Sequence, residues 1–193
     1  MTTVTAKDID VAAGVLAKVA TKTPLQKSER LSEEVGRPVY LKREDLQICR
    51  SFKVRGAYVR MAAMDEDERA AGVVCASAGN HAQGVAYACA HLGIKGTIFL
   101  PASTPRQKRK RIATIGGKWV EPVIVGGDFD EANRVAAAAA KEGGKVYVHP
   151  YDDPYTIAGQ GSIAVDLDSQ LPEDTDMILI PVGAVSYTHL RAH

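Results

Sequence analysis

Short apolar runs recur along the chain: PVYL (38–41), VVCAS (73–77), TIFLP (97–101), WVEPVIV (119–125), VYVHP (146–150) and MILIPVG (177–183). Between most of them lie helical patterns of a dozen or more residues, such as NHAQGVAYACAHLG (80–93), TPRQKRKRIATIGG (104–117) and DFDEANRVAAAAAKEGG (128–144). The runs are continuous rather than alternating, which predicts strands covered on both faces. Their alternation with helices predicts a parallel sheet, hence an α/β fold with right-handed crossovers. Local signals mark several helix ends. Thr5 with Asp8 forms a capping-box pattern that opens an amphipathic helix, which stops before Thr23-Pro24. Asp128 caps the helix that Gly143-Gly144 stops. In open parallel sheets ligands bind beyond the carboxyl ends of the strands. The loops expected to carry chemistry are therefore ASAGN, PAST, GGDFD, HPYDD and VGA.

Composition narrows the function classes. With 193 residues, 46% hydrophobic and a net charge of +1, the chain can bury a real core but shows no basic field for nucleic acid. The run RQKRKR (106–111) has no interleaved aromatics and reads as a solvated helix face. Three cysteines without a C-x-x-C pair read as reduced, small buried hydrophobes of a cytoplasmic protein. Lys7, Asp8 and Asp10 interrupt the N-terminus, so no signal peptide is expected, and no run reaches membrane-spanning length. His81, His91 and His149 lack metal-ligand spacing, so no metal is expected. Glu44 and Asp45 are adjacent and point apart if extended, which argues against a paired-carboxylate site.

Three motifs remain. In CASAGNHAQG a strand ends near Ser77, Gly79 permits a tight turn and Asn80 opens a helix whose free N–H groups can receive a carboxylate or phosphate. The plainer reading is an ordinary turn with a capping asparagine. In SFKVRGA (51–57), Ser51 is the expected N-cap and Lys53 falls in the first helical turn. There the positive end of the helix dipole and partial burial lower an amine's pKa and free it as a nucleophile. The plainer reading is a solvated lysine. IAGQGSIA (157–164) fits a dinucleotide fingerprint, but Pro154 suits a helix start, which places Gly159 and Gly161 inside a helix. Close packing explains them better.

Taken together, TPL (23–25), LKREDLQ (41–47), SFKVRGA, CASAGNHAQG and IAGQGSIA resemble the threonine ammonia-lyases, pyridoxal-phosphate enzymes with the tryptophan-synthase-β type of fold. The match runs in order from about residue 5 to residue 183. It implies a two-lobed parallel-sheet architecture, with a smaller lobe at 46–150 and a larger one built from 1–45 and 151–183. It implies pyridoxal 5'-phosphate as cofactor, Lys53 as the Schiff-base lysine and Phe52 flanking the cofactor. Asn80 matches the asparagine that bonds the cofactor's phenolic oxygen, and Ser77, Ala78, Gly79, Asn80 and His81 match the loop that holds the substrate carboxylate. The implied reaction takes L-threonine to 2-oxobutanoate and ammonia. Lys53 removes the Cα proton, the ring acts as electron sink and the β-hydroxyl leaves. Serine would give pyruvate. GVVCASAGNHAQGVAYA is most like the biosynthetic, isoleucine-pathway branch, and a homo-oligomer is implied at full length. Serine racemases carry a second serine where this chain has Ala78, which disfavours racemisation. Another pyridoxal-phosphate β-eliminase or racemase of this fold acting on serine or threonine, or a non-catalytic α/β binding module, remains the alternative.

The chain departs from the family at its C-terminal end. Gly183 fits the first glycine of the loop that cups the cofactor phosphate through backbone N–H groups. AVSYTHLRAH then follows, and residues 184–193 read as a non-native tail. Without the rest of that cup the 193-residue chain itself is expected to be inactive.

Overall fold

The Thr5 hydroxyl accepts from the Asp8 amide while the Asp8 carboxylate receives the Thr5 N–H, and this reciprocal cap starts α1 (Ala6–Leu16). The computed structural model describes residues 3–180. After α1 come a three-residue strand, β1 (Leu25–Lys27), the short helix α2 (Glu29–Val35), and β2 (Tyr40–Lys42), which pairs antiparallel with β1. PVYL was expected among the parallel strands. It belongs instead to this separate two-stranded sheet, where Tyr40 and Leu41 lie exposed.

The helices α3 (Lys53–Ala62) and α4 (Glu66–Ala71) lead into the parallel unit. Its elements are β3 (Val73–Ala76), α5 (Asn80–Leu92), β4 (Gly96–Pro101), α6 (Arg106–Gly116), β5 (Val120–Val125), α7 (Phe129–Glu142), β6 (Val146–Tyr147) and α8 (Pro154–Asp168). The strands lie in the order β5-β4-β3-β6, all parallel. Both faces are covered, as the continuous apolar runs require. Val74, Ala76 and Phe99 pack on Ala132 and Ala136 of α7, whereas Val73, Cys75, Ile98 and Leu100 join α5 residues Ala82, Val85, Ala86 and Cys89 on the other side. The Asp128 cap, the Gly143 stop and the Pro154 start stand where the sequence places them. All three cysteines are free and buried.

Two expectations need correction. Ser51 does not cap α3. Phe52 occupies that position in a right-handed helical conformation without a side-chain cap, so Lys53 is the first helical residue. The last apolar run forms no strand over its described residues 177–180, which are exposed. A strand is defined by its ladder, and no described strand pairs with this segment. Gly183 and residues 184–193 lie outside the described residues. No helix among the described residues is long and apolar enough to cross a membrane.

Candidate active site

Two close helix crossings place Lys53. Gly84 lets α5 approach the first turn of α3, since a Cβ there would stand 3.0 Å from the Lys53 carbonyl oxygen. On the other side α8 touches α3 backbone to backbone. A Cβ on Gly159 would lie 2.7 Å from the Gly56 Cα and 2.8 Å from the Arg55 carbonyl oxygen. The second contact is the close packing expected of IAGQGSIA, and no dinucleotide turn exists there.

Beneath this joint lies a buried ionic network. The Arg55 guanidinium donates to both Glu44 carboxylate oxygens at 2.9 Å and to Asp166 at 2.6 Å, with a further bond to the Ser162 hydroxyl. Thr23 and Gln47 also donate to Glu44, and Lys42 reaches Asp166 at 3.3 Å. Burial alone would lower the Arg55 pKa, but Glu44 and Asp166 outweigh it and hold it above its ordinary value. Glu44 and Asp45 were expected to point apart if extended; they lie instead in a 3-10 turn (Glu44–Leu46), with different partners. Glu44 is buried on Arg55, while exposed Asp45 pairs with Arg43. The helix face of RQKRKR is mostly solvated, with Arg109 turned back on the Ala102 and Thr104 carbonyls and Arg111 on Gln83.

The lysine so placed is unusual. Lys53 is 9% exposed, and burial pushes its amine down to about 8. Its Nζ donates to the Pro150 carbonyl at 2.8 Å and lies 5.4 Å from the centre of the Phe52 ring. Pro150 follows β6, and β6 pairs with β3, whose carboxyl end runs into Ser77, Ala78, Gly79, Asn80 and His81. In that turn Gly79 N–H donates to the Ser77 hydroxyl at 3.1 Å. Gly79, not Asn80, is the N-cap of α5, and exposed Asn80 is its first residue. The first N–H groups of such a helix have no partner within it and point outward from its start.

His81 departs from the loop around it. It turns inward, is 4% exposed, and its Nε2 lies 2.9 Å from the Val148 carbonyl. A carbonyl only accepts, so Nε2 carries the proton and Nδ1 is bare, buried and without a partner. Burial lowers its pKa to about 4, and the positive charge of Lys53 works in the same direction. His81 and Lys53 thus hold one segment, 148–150, from two helices. Sequence reasoning missed Pro150, Arg55 and Gly84. The loop HPYDD was the only signal for the first. A groove of about 460 Å3 lined by Val11, Val15, Val59 and Tyr155 shares no residue with this cluster.

His81 is expected to make the fold acid-sensitive. Its pKa falls from 6.5 to about 4 on folding. Between those values the unfolded chain binds a proton that the native chain does not. Stability is therefore full above pH 6.5 and falls as the pH drops towards 4, by about 3 kcal/mol for this group at roughly 1.4 kcal/mol per unit. Denaturant titrations near pH 7 and pH 4.5 measure the loss. His81→Gln should lose less than the parent across that interval, and parallel losses would exclude this origin.

Residues 16–187 match the family described as pyridoxal-phosphate dependent enzymes. L-threonine dehydratase biosynthetic IlvA of Mycobacterium tuberculosis is 51% identical over 176 residues, covering 91% of this chain and 41% of that protein. Its Bacillus subtilis counterpart is 45% identical over 165 residues, covering 86% and 39%. The chain thus spans about two fifths of the length of the curated relatives it matches. Among solved structures, threonine deaminase isoform 2 of Solanum lycopersicum superposes with a TM-score of 0.83 at 36% identity over 97% of this chain and 57% of that one. Maize serine racemase superposes with a TM-score of 0.82 at 31% identity over 88% and 51%.

Proposed function

We propose, from the premise that this chain belongs to the family of pyridoxal-phosphate dependent enzymes, that the protein dehydrates and deaminates L-threonine to 2-oxobutanoate and ammonia. The observation that carries this reading is the buried Lys53 amine, held down to about 8 beside the start of α5. The residues present fit the cofactor. The Lys53 amine has a depressed pKa, and the buried Ser51 hydroxyl and His81 Nδ1 have no hydrogen-bond partner among the described residues, which suits a polar group that an amine can capture. Phe52, Lys53 and Asn80 would hold it, with Gly183 as a further contact. When bound, pyridoxal phosphate supplies an aldehyde that a lysine amine can capture and a ring that draws electron density from Cα.

The chain's own groups account for the rest. At neutral pH roughly a tenth of an amine with pKa near 8 is uncharged, enough to act as nucleophile and then as base at Cα. The turn formed by Ser77, Ala78, Gly79, Asn80 and His81 offers helix-start N–H groups to the substrate carboxylate. The 46–150 segment serves as the smaller lobe, and 1–45 with 151–183 as part of the larger. Serine is a second substrate, and the setting is isoleucine synthesis in the cytoplasm by a homo-oligomer. Relatives of this shape include serine racemases. Ala78 offers no group that could take up or deliver a proton, which favours elimination over racemisation. The test takes the protein at the full length of its relatives, supplies it with pyridoxal phosphate and L-threonine, assays 2-oxobutanoate and analyses the residual amino acid on a chiral column. Steady formation of the keto acid without D-isomers is expected. D-serine from L-serine in place of pyruvate would overturn the reading.

A further inference from the structure

Backbone accounting singles out residues 148–150. The ladder of β6 with β3 ends where Val148 N–H donates to the Val74 carbonyl at 2.9 Å. Three carbonyls follow, of Val148, His149 and Pro150. Each is taken by a side chain. His81 of α5 donates to Val148 O at 2.9 Å, Thr156 of α8 to His149 O at 3.3 Å, and Lys53 of α3 to Pro150 O at 2.8 Å. Thr156 is fully buried and His81 nearly so. Buried backbone oxygens need partners, yet nothing in the sheet requires that three helices supply them.

We propose that His81 and Thr156 are positioning residues for the Lys53 amine, acting through segment 148–150, so that the Pro150 carbonyl is a fixed acceptor that aims the amine. The inference rests on the reading of Lys53 as the reacting lysine. A lysine side chain has about 2 kcal/mol of rotamer entropy and does not stay in one place unaided. A carboxylate acceptor would fix it but also favour the charged form. A neutral carbonyl fixes it with far less bias towards charge. The bonds to the two preceding carbonyls hold that acceptor still. A neutral His81 suits the task, because a charged imidazole would repel the lysine. The titratable groups acting on His81 are Lys53 and His149, and both oppose its protonation. Burial is the cause of the lowered Lys53 pKa, so a loosened segment that admits water lets it rise.

The test reads Lys53 directly rather than turnover. The full chain, without added cofactor, is treated with a trinitrophenylating reagent across a pH series, and modification of Lys53 is followed by peptide mapping. The parent's midpoint is expected near pH 8. In His81→Leu it should rise by about one unit or more, equal to about tenfold less neutral amine at pH 7. In His81→Gln, whose amide nitrogen can replace Nε2, it should stay within about 0.3 unit of the parent. If His81→Leu does not fold, Thr156→Val carries the test, with a rise in midpoint again expected. A parent midpoint near 10.5, an unchanged midpoint in the folded variant tested, or a Gln variant that behaves like Leu would overturn the proposal. A protein that shows the shift but makes no 2-oxobutanoate keeps the positioning role and loses the reaction.

Discussion

Lys53→Met is expected to abolish the proposed turnover of the full-length enzyme while making the protein more stable. Loss of the base alone should slow the reaction ~10^2–10^4-fold, and loss of the nucleophile more. Borohydride reduction after treatment with pyridoxal phosphate should label the Lys53 peptide in the parent and leave it unlabelled in the variant. The stability gain follows from the same burial that activates the amine. The folded chain holds Lys53 at about 8, against 10.5 in the open chain. Forcing a charged amine into that place at pH 7 therefore costs on the order of 3 kcal/mol. The sign is that of a depressed lysine. The penalty is complete below pH 8 and disappears as the pH rises towards 10.5. Methionine keeps the shape of the stem, removes the charge and gives up only the bond to Pro150 O. A gain of about 1–3 kcal/mol at pH 7, vanishing above pH 10, is the expected outcome of denaturant titration. A less stable variant at pH 7 would contradict the burial argument.

Arg55→Met should do the reverse, destabilising the fold by about 3–5 kcal/mol because it strands a buried carboxylate. Arg55 is 3% exposed and meets both Glu44 and Asp166. Asp166 keeps Lys42 after the substitution, whereas Glu44 keeps only the Thr23 hydroxyl and the Gln47 amide. For a chain of this length the loss corresponds to a fall in Tm of roughly 6–20 °C. Adding Glu44→Gln should recover part of it by removing the stranded charge. A loss under about 1 kcal/mol, or no recovery in the double variant, would show that the network contributes little. Because Arg55 lies two residues from Lys53, the same variant should also loosen the start of α3.

These two residues show where a linear reading works and where it stops. Strand and helix alternation was legible because each element carries its own period, and caps such as Thr5, Asp128 and Pro154 signal within a few residues. The β1–β2 pairing was missed because three-residue β1 has no pattern to read, and PVYL was assigned to the parallel sheet for want of that partner. Residues 177–180 were misread because an apolar run predicts a strand only if a neighbour exists to pair with it. Lys53 drew notice through its helix-start position, and the structure places it there. Ser51 was read as the cap because serine favours that role, but Phe52 takes it through its backbone. Arg55 gave no local sign of burial, since its partners stand 11 and 111 residues away. His81 was read as part of the loop that holds the substrate carboxylate, and the Val148 carbonyl that turns its side chain inward is 67 residues distant.

The Gly56–Gly159 crossing has a consequence for anyone who wishes to retune this site by directed evolution. Two glycines facing each other across a joint leave no slack, so a side chain on either one cannot be absorbed by a rotamer change in the other. Random libraries targeted to α3 should therefore return diversity at its half-buried positions, Arg60 and Ala62, and none at 56. Saturating 56 and 159 together should fare no better, because the first added carbon on either side already meets backbone. A shifted lysine would have to be sought by transplanting the whole pair of helices from a relative, as one cassette, rather than residue by residue.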